Sequence, residues 1–148
     1  MSPRDFRRGA PPVGGIDAGL EVIAAQVVDA AVKLHVALGP GLLESAYEVL
    51  LARVLERRGL RVQRQLAIAL EYDGIRIEEA FRPDLIVGGR LVVELKSIER
   101  LAPVHFRQML TYLRILRLPL GLLLNFGEPS LKSGLHRILN QSPVHPFV

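Results

Sequence analysis

Asp84, Glu94 and Lys96 sit in the stretch RPDLIVGGRLVVELKS, residues 82–97 of a 148-residue chain, and have the types and spacing that metal-assisted chemistry uses. Two apolar runs, LIV and LVV, flank a glycine pair, which predicts two strands joined by a tight turn. Glu94 and Lys96 are two apart on a strand and therefore share a face. Asp84 joins them only if the loop has three residues (Gly88, Gly89, Arg90), pairing Val87 with Leu91 and setting Asp84 opposite Glu94. A two-residue loop would place it on the other face.

Opposed acids would have Cβ atoms roughly 5 Å apart, an unfavourable like-charge pair. At an effective dielectric near 20 the repulsion is about 3 kcal/mol. A cation between them would remove that cost. Two hard carboxylates beside a lysine suit a Mg²⁺ or Mn²⁺ site for phosphoester hydrolysis, in which the amine orients a water or stabilises a pentavalent phosphorus. The plain alternative is a solvated Glu-x-Lys face. Against it, LVVELK is apolar on both faces up to Glu94, which fits the end of a central strand rather than an edge.

Other polar residues fall near this centre. Glu44 lies at the first turn of a helix on the side carrying Tyr47, Leu51 and Leu55, where a carboxylate also favours the helix dipole. Gln108 and Tyr112 are spaced i, i+4 on a later helix, with His105 one turn earlier. His35 follows an apolar stripe and reads as a packed histidine. His136 and His145 have no partner at metal-ligand spacing, so a zinc site is rejected. Neither a Gly-rich phosphate loop nor a Ser-His-Asp signature is present.

These residues need a frame, and the chain can build one. Its length suits one domain with its own core. Hydrophobic residues make up 49% and charged residues 23%, a globular balance. With aromatics at 5%, the core must be aliphatic. The absence of cysteine excludes disulfides and thiolate chemistry and fits a cytoplasmic location. No apolar run reaches the ~18 residues a membrane span needs. Net charge is +4, compatible with a polyanionic partner but too mild to specify one.

Residues 1–16 read as a flexible arm, 17–141 as one domain and 142–148 as a proline-rich tail, extended or disordered. RDFRR in the arm could touch phosphates. Asp17 can cap a helix to about Leu38, with Leu20, Ile23, Val27, Ala31, Leu34 and Leu38 on one stripe. LGPGL breaks it, and a second helix follows from about Leu42 to Arg58, with Leu43, Leu50 and Val54 as core. LRVQRQLAIALEYDGIRIEEAF alternates and turns at Asp73-Gly74, predicting a hairpin. The hairpin carrying the acids comes next. Pro103 suits the first turn of a helix to about Leu116. LPLGLLLNFG reads as a buried strand, and SLKSGLHRILN as a last helix. Helices wrapping a mixed sheet are expected.

GLLESAY resembles the GxxExxY signature of a family of small bacterial and archaeal proteins. The likeness continues through LGPG, YEVLLARVLERRGL, RPDLIV, VVELKS, HFRQMLTYLR and GLLLNFG, covering about residues 23–140. That family is placed in the PD-(D/E)xK nuclease-like superfamily. The resemblance implies an α/β, restriction-endonuclease-like core in αβββαβ order, a central mixed sheet flanked by helices. It implies that Asp84, Glu94 and Lys96 are the motif residues, Pro83 the motif proline and Glu44 the helix glutamate that completes the metal shell. The Leu95 carbonyl would also ligate metal, and Gln108 and Tyr112 would form a QxxxY element beside the site, contacting substrate or the lysine. The implied activity is Mg²⁺- or Mn²⁺-dependent cleavage of nucleic acid, DNA ahead of RNA, by a homodimer or with a partner protein. A non-catalytic binding module for nucleic acid or protein on the same fold is the alternative.

Overall fold

The computed structural model describes residues 4–5, 12 and 14–141. Most of the expected arm, including all but Arg4 and Asp5 of RDFRR, and the whole 142–148 tail lie outside the described residues. Strand β1 (Arg4–Asp5) pairs in parallel with Leu70 and Glu71. Helix α1 (Ala18–Leu38) begins where Asp17 accepts a hydrogen bond from the Leu20 amide at 2.9 Å, as an N-cap should. Helix α2 (Glu44–Arg57), strands β2 (Val62–Arg64), β3 (Ile68–Tyr72), β4 (Ile75–Phe81), β5 (Leu85–Val87) and β6 (Leu91–Lys96), and helix α3 (Pro103–Leu116) follow. The chain continues through β7 (Leu120–Asn125), the short α4 (Leu131–Gly134) and β8 (Leu135–Leu139).

Among the described residues the strands form two sheets: a five-stranded one in the order β2-β5-β6-β7-β8, and a three-stranded one in the order β1-β3-β4. Only the β6–β7 pair is parallel in the larger sheet, which is therefore mixed. β6 and β7 need no polar face because both sides are covered. Leu91, Val93, Leu95, Leu122 and Leu124 pack with α1 and α2 on one side, while Val92 packs with Met109, Leu113 and Leu116 of α3 on the other. α3 crosses the sheet closely at Gly121, where an added Cβ would lie 2.5 Å from the Met109 sulfur.

Three expectations need correction. Of the three expected on the second helix, Val54 packs against the core, but Leu43, at the N-cap of α2, is 77% and Leu50 40% exposed, and the buried stripe is Tyr47, Leu51 and Leu55. Both stripes have helical spacing. The choice is made by Tyr47, which stacks on Phe126 at 4.4 Å and whose hydroxyl donates to the Gly39 carbonyl and accepts from the Leu42 amide. SLKSGLHRILN is one helical turn capped by Ser130, followed by a strand antiparallel to β7. Gly134 ends that turn against the Asn125 carbonyl, and the following residues supply the outer strand of the sheet. The alternating stretch after residue 60 is not a single hairpin arm either. Val62–Arg64 pairs with β5 in the large sheet, the chain bends at Gln65, and the Asp73-Gly74 hairpin belongs to the small sheet.

Candidate active site

The β5–β6 turn decides whether the acids meet. Gly88 and Gly89 have φ of 62° and 69°, a region open to glycine at little cost. The three-residue loop they form pairs Val87 with Leu91, Ile86 with Val92 and Leu85 with Val93. One step further, Asp84 stands opposite Glu94. The Asp84 amide donates to Glu94 Oε1 at 2.8 Å, and the Leu95 amide donates to Asp84 Oδ2 at 2.9 Å. Each acid is thus held by main chain of the strand that carries the other.

Both side chains are buried, with residue exposures of 8% for Asp84 and 6% for Glu94. Burial, first of all, pushes the Glu94 carboxyl up to about 8, and the charge of Asp84 adds to this. Burial likewise pushes Asp84 up to about 6, opposed by the Leu95 amide bond. The positive charge of Lys96 reaches Glu94 without offsetting its burial. Lys96 ends β6 at partial exposure, opposite Asn125 of β7. Asn125 is fully buried, and its Oδ1 accepts from the Ile98 and Gly127 amides at 3.1 and 3.0 Å. It thereby fixes the chain just beyond the lysine.

Glu44, half buried at the start of α2, is within electrostatic reach of Lys96, Glu48 and His105, and burial pushes its carboxyl up. Gln108 is exposed on α3 and hydrogen-bonds the Tyr112 hydroxyl, whose pKa is raised by burial and by the charges of Glu94 and Asp84. The Tyr112 ring stacks on Phe81 at 4.1 Å. His105 accepts from the Ala102 amide through Nδ1 at 2.9 Å and so starts α3. Thus Asp84, Glu94, Lys96, Glu44 and Tyr112 gather at one end of the sheet, with Gln108 at the rim. His35 lies away from them, packed near Phe126 and bonded to the Glu128 carbonyl, and His136 meets the edge of Phe106.

Sequence reasoning missed three residues here. Glu48 is 4% exposed and is gripped by Arg64 (Nη2 at 2.9 Å) and by Gln65 (Nε2 at 2.7 Å). Gln65 Nε2 also reaches Asp84 Oδ1 at 3.0 Å. The i, i+4 spacing from Glu44 to Glu48 was a usable signal. Gln65 left none, because its role depends on a bend that brings α2, β2 and β5 together.

The donor set fits a hard divalent ion. Among the described residues, no three or more acidic or imidazole side chains come together closely enough to hold a metal ion by themselves. Mg²⁺ does not require this: it keeps several waters and is bound through one or two carboxylates plus substrate phosphate. The repulsive, poorly solvated Asp84–Glu94 pair is what such an ion would relieve.

The fold is restriction-endonuclease-like, a mixed sheet with α1 and α2 on one side and α3 on the other. The chain belongs to the PD-(D/E)XK nuclease superfamily, whose model matches residues 21–138. Members of this superfamily generally use divalent metal ions, and membership implies a nucleic-acid substrate. No curated protein and no solved structure matches the chain. Among the described residues, no helix is long and apolar enough to cross a membrane.

Proposed function

We propose that this protein hydrolyses phosphodiester bonds in nucleic acid, DNA in preference to RNA, with Mg²⁺ or Mn²⁺. The GxxExxY family, to which its motifs run parallel, is the narrower group we assign it to. The observation that carries this reading is the buried, opposed Asp84–Glu94 pair beside Lys96. Asp84 and Glu94 would hold the ion, with the Leu95 carbonyl and Glu44 assisting. When bound, such an ion supplies positive charge to the scissile phosphate and acidifies a water.

The chain's own groups do the rest. Lys96 orients the attacking water and meets negative charge as it builds on phosphorus, a stabilisation worth most where water is scarce. Main-chain amides at Asp84 and Leu95 keep the carboxylates facing each other before substrate arrives. Gln108 and Tyr112 shape the α3 wall, where Tyr112 is braced by Phe81. A homodimer would bring two such centres to the two strands of a duplex.

The test is cleavage of plasmid, linear duplex, single-stranded DNA and RNA in Mn²⁺, Mg²⁺ or EDTA. Wild type should cut only with metal, and Asp84→Ala and Lys96→Ala should each lose at least about a hundredfold, the scale of losing one charge-stabilising group. Salt-sensitive DNA binding with no metal-dependent cutting would move the assignment to a binding module.

A further inference from the structure

We propose that Gln65 is a positioning residue for Asp84, using the Glu48–Arg64 pair as its anchor. The inference rests on the metal reading of Asp84 and extends it to a residue outside the superfamily motif. Gln65 occupies the bend between β2 and β3 with φ of 52°, a left-handed conformation that disfavours any residue with a Cβ. Glycine or asparagine would sit there more easily. The strain is held from two directions. The Gln65 amide donates to the Asp84 carbonyl at 3.1 Å, and its side-chain nitrogen lies 3.0 Å from Asp84 Oδ1 and 2.7 Å from Glu48 Oε1.

The chemistry of the side chain explains the choice. A primary amide carries two N–H donors, one for each acid. A glutamate here would set a third carboxylate against the first two. Glu48 is a firm anchor because its other oxygen is taken by Arg64, through Nε at 3.2 Å and Nη2 at 2.9 Å. With its charge so engaged, Glu48 serves as a post rather than a ligand. Asp84 is then fixed at both oxygens, by the Leu95 amide at Oδ2 and by Gln65 at Oδ1. Its remaining lone pairs have a set direction. Outer partners of this kind hold ligating groups in place, and losing one typically costs ten- to a hundredfold in metal affinity. Backbone strain retained beside such a centre fits the same role.

Two variants separate positioning from mere support. Gln65→Gly relaxes the backbone and removes the amide. Gln65→Met keeps the length and the strain and removes the amide group with both its donors. The measurements are Mn²⁺ affinity by calorimetry and melting temperature in EDTA, on the full chain. Both variants should weaken Mn²⁺ binding about tenfold, while Gln65→Gly keeps the wild-type melting temperature. Wild-type affinity in both variants would overturn the assignment. So would an affinity loss that follows the melting temperature instead of the missing amide, because that marks a structural residue. If wild type itself binds no Mn²⁺, the metal reading fails first and this inference falls with it.

Discussion

Glu94 shows how much of a site one residue can carry. Its carboxyl is raised from 4.5 to about 8, chiefly by burial and then by Asp84. A raised acid binds its proton more tightly in the folded protein than in the unfolded chain. The metal-free protein should therefore lose stability as pH rises from about 4.5 to about 8, the window between the two states of this group. Melting temperatures measured in EDTA across that range should fall, and Glu94→Gln, which mimics the protonated acid, should flatten the curve above about pH 6, the upper end of the window of Asp84. An unchanged slope in the variant would mean that Glu94 is not the group responsible. Glu94 and Lys96 were legible in the sequence as one face because a strand has a period of two, whereas Asp84 joins them only through the three-residue loop that the β5–β6 register shows. Gln65 was not legible, since nothing local distinguishes a glutamine at a strained bend from one on a surface strand. Its meaning appears only when Glu48 and Asp84 close on it from elements far apart in the chain.

At the scale of elements, the GxxExxY segment works as a hinge pin as well as a source of Glu44. Tyr47 is fully buried and stacked on Phe126, and its hydroxyl ties Gly39 to Leu42 across the break between α1 and α2. That pin selects which face of α2 is buried, and with it where Glu44 and Glu48 point. Tyr47→Phe keeps the stack and loses two hydrogen bonds, at a cost of about 1 kcal/mol each. Denaturant unfolding should show that loss, together with reduced metal affinity as α2 loosens; no change in either would mean the hydroxyl is dispensable. The α2 stripe was misassigned because leucines at 43 and 50 have the same helical spacing as the buried set, and only the tertiary stack breaks the tie. Residues 131–139 were misassigned for a related reason. SLKSGLHRILN has acceptable helix formers on both sides of Gly134, but the helix stops at that glycine and the open edge of β7 captures Leu135–Leu139 as a strand.

For the whole molecule, the sheet separates two apolar layers and leaves its polar end to the site. α1 and α2 pack the larger cluster and α3 the smaller one, and the acids lie where the covered strands β5 and β6 reach the edge of that core. This arrangement was legible from the buried strands LVVELK and LPLGLLLN. The division into two sheets was not, because it turns on the single bend at Gln65. A net charge of +4 gives modest attraction to a polyanion. Binding to a duplex, measured with Ca²⁺ in place of Mg²⁺, should weaken about tenfold between 50 and 200 mM salt if about two phosphates are neutralised. Salt-independent binding would mean that phosphate contacts do not carry it.

The most direct measurement is the binding of Mn²⁺ to the wild-type chain and to Asp84→Ala, by calorimetry, with melting temperatures recorded alongside. Saturable Mn²⁺ binding to the wild type that raises its melting temperature, lost in an Asp84→Ala chain that still folds, is the predicted result. Equal binding in both chains, or none in the wild type, would contradict the claim that Asp84 and Glu94 are buried side by side to hold a metal.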